Sequence, residues 1–229
     1  MKHVPDGVRA VFFDAAGTLI HPAPPAAEVY AAVGRRHGSR LAADEVRRRF
    51  AAAFRAEERL DAGRGHRTDE ERERRRWLGI VAAVLDDVSD PRRCCDELYE
   101  YFARAPAWEC ASGAGALLAA LRAEGYVVGV ASNFDHRLRP ILAGLAELAP
   151  LEHLAISSEV GWKKPAPQFF GALGAMTGLS PDEILLVGDD LENDFYGARR
   201  AGLASLLLDP RAAYAVTPSI RALAEMLGP

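Results

Sequence analysis

The sequence predicts an α/β fold: a parallel sheet wrapped by helices, with a separate helical domain inserted near its start. Three observations carry this. Short, almost continuously apolar runs each end on a polar residue; helical patterns alternate with those runs; and one connection, from Asp14 to Ser132, is about 120 residues long, where a strand–helix–strand crossover needs only ~10–12.

The first run, Val8-Arg9-Ala10-Val11-Phe12-Phe13, stops at Asp14; the second, Tyr126 to Ala131, stops at Ser132. A weaker run, Leu154-Ala155-Ile156, stops at Ser157; Ile184-Leu185-Leu186-Val187 stops at Gly188-Asp189; and Ala204 to Leu208 stops at Asp209. Unbroken apolarity of this length fits strands buried on both faces. Between them, Leu117, Leu118 and Leu121 share a helical face closed by Gly125, Leu138, Ile141, Leu142 and Leu145 repeat the pattern, and Pro165 and Pro167 open a helix carrying Phe169, Phe170 and Leu173. Gly113-Ala114-Gly115 reads as a helix start, since it follows no strand and lacks a third glycine. Ser180 to Glu183 reads as a turn.

The long connection reads as four helices with stripes at Val29/Val33, Val46/Phe50, Ile80/Val84 and Leu98/Phe102. Thr68 with Glu71 has the spacing of a capping box before the third, and Asp90-Pro91 opens the fourth. Prolines at 22, 24, 25 and 106 mark its borders. The expected division is a core of residues 1–20 and 106–229 and a helical domain of residues 21–105. Arg72 to Arg76, interleaved with glutamates, reads as a solvated helix face.

The chain has 229 residues, 49% hydrophobic and 26% charged, which excludes disordered and fibrous classes. A net charge of -4 disfavours sequence-independent nucleic-acid binding. No apolar run approaches the ~20 residues of a membrane span, and Met1-Lys2-His3-Val4-Pro5-Asp6 lacks the layout of a signal peptide. Cys94, Cys95 and Cys110 match no metal or disulfide spacing and read as packing residues. A reduced, cytoplasmic protein acting on a small molecule, with neither nucleic acid nor membrane as partner, is expected.

Ligands of open parallel sheets bind beyond the carboxyl ends of the strands. Here those ends carry Asp14 and Thr18, Ser132 and Asn133, and Gly188-Asp189-Asp190, while Lys163-Lys164-Pro165 precedes a helix leading toward the fourth strand. A carboxylate, hydroxyls, an ammonium and an acidic cluster in one crevice suit a phosphate and a divalent metal.

Asp14-Ala15-Ala16-Gly17-Thr18, Ser132-Asn133, Lys164-Pro165 and Gly188-Asp189-Asp190-Leu191-Glu192-Asn193-Asp194 resemble, in order, the four motifs of the haloacid dehalogenase superfamily. The helical insertion resembles its subgroup with an all-helical, C1-type cap on a Rossmann-like core. The resemblance implies a hydrolase in which Asp14 is the nucleophile of an aspartyl intermediate. Thr18, Ser132, Asn133 and Lys164 would hold substrate oxygens, and Lys164 would also offset charge at Asp14. Mg2+ would sit on Asp14, the Ala16 carbonyl and Asp189, with Asp190 and Asp194 as further acidic partners.

One position departs from the pattern of the family's phosphatases, which place a proton-donating Asp where this chain has Ala16. His21 is the candidate replacement. Arg64, His66 and Arg67, on a loop joining two cap helices, are candidate substrate selectors. Ala16 leaves two other readings open: a metal-free 2-haloacid dehalogenase, whose halide leaves without a proton, and a non-catalytic ligand-binding protein on the same scaffold. The acidic cluster at 189, 190 and 194 favours a metal-dependent phosphatase.

Overall fold

The computed structural model describes residues 1–227. Its centre is a six-stranded sheet in the order β5-β4-β1-β6-β7-β8, comprising β1 (Ala10–Phe13), β4 (Val127–Ser132), β5 (His153–Ile156), β6 (Ile184–Gly188), β7 (Ala204–Leu208) and β8 (Ser219–Ile220). Every pairing is parallel. Phe13 stands in register with Val130 of β4 and Val187 of β6, so the carboxyl ends of the three central strands lie side by side.

Helices cover both faces. Val11 and Phe13 point to the side packed by α5 (Ala114–Ala123) and α6 (Leu138–Ala143), whereas Ala10 and Phe12 point to the side packed by α8 (Pro167–Thr177) and α9 (Gly197–Arg200). This is the two-residue alternation of a strand, with both faces apolar because both are buried. A Cβ at Gly129 would overlap the Phe12 ring and stand 2.9 Å from the His153 carbonyl, so this glycine lets a fully buried Phe12 lie across the neighbouring strand. A short helix, α7 (Ser157–Val160), follows β5.

The predicted strands match the observed ones to within a residue or two, apart from two omissions. The first is β8. The second is an antiparallel ribbon of β2 (Ile20–Pro22) and β3 (Trp108–Cys110), pairing Ile20 with Cys110 and Pro22 with Trp108. Two- and three-residue strands are too short to show periodicity.

Between β2 and β3 lie α1 (Ala26–Arg36), α2 (Ala43–Gly63), α3 (Glu70–Val84) and α4 (Pro91–Phe102). They enclose a core of their own that includes Val46, Ile80, Val84, Leu85 and Leu98. Two local expectations are corrected. The cap of α3 is Asp69, whose carboxylate accepts from Arg72 N at 2.6 Å, while the Thr68 hydroxyl turns inward to Glu73 at 2.6 Å. And only Arg74 and Arg75 of the Arg72–Arg76 stretch face solvent. Arg72, Glu73 and Arg76 are buried, the two arginines held by Glu57 and Asp61 from α2 and Glu73 by the Thr68 hydroxyl and the Lys163 ammonium. Ser180 and Glu183 exchange hydrogen bonds around a single 3₁₀ turn, Pro181–Glu183. Among the described residues no helix is long and apolar enough to cross a membrane.

Phe12→Ala removes a ring with no exposed surface from the sheet core. A loss of about 3–5 kcal/mol in unfolding free energy is expected from denaturant titration.

Candidate active site

The site is assembled by three strand exits and one loop. Asp14 leaves β1 with its backbone N–H still on Val187 of β6, at 2.8 Å. The chain then folds back tightly, with the Ala15 carbonyl accepting from Leu19 and Ile20. Gly17, at φ +110°, makes that turn, and a Cβ there would stand 2.5 Å from Asp189 Oδ2. The residue is glycine because the loop must lie directly against a carboxylate.

Beyond β6 comes a π-helical turn, Leu191–Tyr196. Asp190 caps it, accepting from Glu192 N at 2.9 Å and Asn193 N at 2.8 Å. Asp194 points back toward the strand end, accepts from Asp190 N at 3.1 Å, and packs where any Cβ on Gly188 would sit.

Lys164 joins these pieces. It is 2% exposed, and its ammonium donates to Asp14 Oδ1 at 2.8 Å, the Ala131 carbonyl at 2.7 Å and Asp194 Oδ1 at 2.5 Å. All three donors are used. Its backbone is fixed in turn by Asn133, whose amide donates to the Lys164 carbonyl at 2.9 Å and accepts from the Lys164 N–H at 2.7 Å. Asn133 is thus committed to the Lys164 loop, and α6 begins without a side-chain cap.

Carboxylate oxygens of Asp14, Asp189 and Asp194 lie within 4.8 Å of one another. Three such groups against one ammonium leave negative charge unanswered, and the protonation balance reflects it. Burial, then the charge of Asp14, pushes the Asp189 carboxyl up to about 6, although it opens on the cleft and the Thr18 hydroxyl pulls the other way from 3.1 Å. Burial raises Asp194 as well, against the pull of Lys164. Burial works against the Lys164 charge too, but Asp14 and Asp194 outweigh it and hold the proton above the usual lysine range. Three hard oxygen donors with an excess of negative charge fit a divalent cation such as Mg2+.

The cluster forms the floor of a cavity of about 900 Å3 between the sheet and the four-helix bundle. Asp14, Ala16, Ser132, Asn133, Lys164, Asp189, Asp190 and Asp194 line it, as do His21 and His66. Three other expected site residues fall off the lining, and Asp190 lines it in a different role. Thr18 is fully buried with its hydroxyl committed to Asp189, so it supports a carboxylate rather than facing the cleft. Asp190 stands outside the carboxylate triad as a capping residue. Arg64 and Arg67 are exposed and off the lining; Arg67 lies 5.5 Å over the Trp162 ring.

The structure also places residues that sequence reasoning missed. Lys163 is as buried as its neighbour but points the other way, donating to Asp61 at 2.9 Å and Glu73 at 3.1 Å in the bundle. Phe50, Phe54, Tyr30, Trp108 and Phe134 line the cavity, though each reads in sequence as an ordinary core stripe or loop residue.

A family model described as haloacid dehalogenase-like hydrolase matches residues 8–202. Haloacid dehalogenase-like hydrolase domain-containing protein 3 from Homo sapiens is 29% identical over 208 residues, covering 88% of this chain and 82% of that protein. Glyceraldehyde 3-phosphate phosphatase from Pyrococcus furiosus is 32% identical over 100 residues, 41% of this chain and 40% of that one. Among solved structures, the magnesium-bound HAD-hydrolase YfnB from Bacillus subtilis aligns with a TM-score of 0.76 at 19% identity over 95% of this chain and 96% of its own. L-2-haloacid dehalogenase from Xanthobacter autotrophicus aligns at 0.69 and 19%, over 90% and 79%. At these identities the two structures speak for the fold alone.

A carboxylate whose pKa is raised by folding stabilises the folded state while it is protonated. For Asp189 that contribution is present below about 4 and lost as pH rises through about 6. In chelator-treated protein, the melting temperature of Asp189→Asn is expected to gain on the wild type as pH goes from about 4 to 7; a pH-independent difference contradicts the assignment.

Proposed function

The chain belongs to the haloacid dehalogenase-like hydrolases, and we propose that it hydrolyses phosphate monoesters of small molecules in the cytoplasm with Mg2+ as cofactor. The observation that carries this reading is the triad of Asp14, Asp189 and Asp194, with one ammonium shared by Asp14 and Asp194. A halide site has no use for that much negative charge, whereas Mg2+ does. Asp14, Asp189 and Asp194 would hold the ion, with the Ala16 carbonyl as backbone ligand. When bound, it neutralises charge on the transferring phosphoryl group and aligns its oxygens. The relative named as a phosphatase supports the same chemistry over its share of the chain.

In the first step an Asp14 carboxylate oxygen attacks phosphorus. The bond to the leaving oxygen breaks, and that oxygen departs with the electron pair. In the second, water attacks the phosphorus of the acyl phosphate and the Asp14 carboxylate is released. Lys164, fixed through its backbone by Asn133, holds the Asp14 carboxylate in place, and Ser132 faces the substrate oxygens. Thr18 acts indirectly by orienting Asp189. The bundle over the cavity serves as the cap that excludes water. Ala16 has no proton to give, and His21, in the same cavity, is the proposed donor to leaving groups that need one.

Assay of phosphate monoesters and 2-haloacids with and without Mg2+ tests the reading. Phosphate release is expected to require Mg2+ and to fall below about a thousandth of its rate in Asp14→Asn. Halide release that survives a chelator would establish a dehalogenase instead, and ligand binding without any turnover would establish a binding protein. An unchanged pH–rate profile in His21→Ala would remove that residue from the proton step.

A further inference from the structure

The two ends of the cavity make independent demands on a substrate. At the bundle end the wall is a continuous row of rings. Phe54 and Phe50 stack at 6.1 Å, Phe50 meets Tyr30 edge-on at 5.0 Å, and Tyr30 lies 6.3 Å from Phe102. Phe102 and Trp108 follow at 6.0 Å, then Trp108 and Phe134 at 5.8 Å. Phe134 stands two residues past Ser132, so the row runs from α2 to the catalytic floor.

The buried arginines on this wall already face carboxylates of the protein, although the Arg76 Nε makes no hydrogen bond. Arg137 grips Asp135 at 2.7 and 2.6 Å and lies 3.5 Å over Tyr99. Arg76 sits 3.5 Å from Asp61, 3.9 Å from Glu73 and 4.4 Å over Phe54. What the interior offers is mainly ring faces and apolar surface. A small polar phosphate would leave most of a 900 Å3 cavity as wetted hydrocarbon, whereas a planar apolar body would displace that water and bury its faces.

At the floor the demand concerns the leaving oxygen. The side chain lining the cavity two residues past Asp14 is the Ala16 methyl, and the three donors of Lys164 are all held by Asp14, Ala131 and Asp194, so a leaving group that needs a proton depends on His21, which stands on the β2–β3 ribbon rather than on the Asp14 turn. An aliphatic alkoxide needs a proton as its bond to phosphorus breaks. A phenoxide, whose conjugate acid ionises near ~10, leaves as the anion far more readily.

We infer that the substrate is an aryl phosphate, a phosphate monoester on a phenolic oxygen whose planar apolar body lies along the ring wall between bundle and sheet. The inference rests on the phosphoester reading above. In this reaction phosphorus forms its bond to Asp14 as the bond to the aryl oxygen breaks; the phenoxide leaves with the electron pair and is protonated by solvent.

The test uses the full chain with Mg2+ and two kinds of measurement. In calorimetric titration, 2-naphthylmethylphosphonate is expected to bind at least tenfold tighter than methylphosphonate. Phe54→Leu and Phe50→Leu, each checked for an intact melting transition, are expected to shrink that ratio at least threefold. In turnover, kcat/KM for 2-naphthyl phosphate is expected to exceed that for 2-naphthylmethyl phosphate at least a hundredfold, and Ala16→Asp to narrow the gap at least tenfold. Equal binding of the two phosphonates, or equal turnover of the two esters, overturns the inference while leaving phosphatase activity intact. Failure of the phosphoester reading looks different: no ester is hydrolysed and 2-naphthylmethanol binds as tightly as its phosphonate, which overturns both.

Discussion

The Lys164 ammonium is the interaction on which the rest of the site depends. A lone charge at 2% exposure is costly, and here it is balanced by two carboxylates and a carbonyl that arrive from three different strand exits. Asp14 comes from β1, Ala131 from β4 and Asp194 from the turn after β6, so the cluster exists only when the parallel sheet is in register. The same crowding explains the backbone around it. Gly17 and Gly188 have no room for a side chain because the carboxylates of Asp189 and Asp194 occupy it. One cation cannot neutralise three carboxylates, and the surplus suits a second, divalent one.

The preceding residue ties this chemistry to the cavity above it. Lys163 sends its ammonium into the bundle, to Asp61 and Glu73, while its backbone N–H donates to the His66 carbonyl at 2.9 Å. Glu70, at the start of α3, accepts from the His136 backbone at 2.9 Å and bonds the Ser158 hydroxyl of the core. Two consecutive lysines thus anchor two different bodies, one the catalytic floor and the other its roof. Any motion of the bundle on the sheet must act on the loop that carries Lys164, so the ring-lined space and Asp14 are mechanically adjacent.

Much of this was legible in sequence, because strands buried on both faces announce themselves as apolar runs and stop at polar residues. Asp14, Ser132 and Asp189 were found that way, at the ends of their strands. The ribbon of β2 and β3 and the two-residue β8 were not, being too short for any period to appear. Nor was the burial of Arg72, Glu73 and Arg76: an alternating run of arginine and glutamate has the same composition on a solvated face as in a paired interior, and only the position of Asp61 on the facing helix separates the two. Thr18 and Asn133 were recognised as site residues, but their targets were not. Their groups bind Asp189 and the Lys164 backbone, contacts that span more than thirty residues of chain in one case and far more in the other. The aromatic wall was hidden for a related reason: a ring that lines a cavity and a ring that fills a core occupy the same helical positions.

The most direct measurement of the central claim is to trap phosphate on the protein. Full-length enzyme turning over a phosphate monoester with Mg2+ is quenched in acid and treated with borohydride, which reduces an acyl phosphate of aspartate to homoserine, and the peptides are read by mass spectrometry. The account predicts conversion at Asp14 and at no other carboxylate. Conversion at Asp189 or Asp194, or steady turnover with every aspartate unmodified, would contradict it.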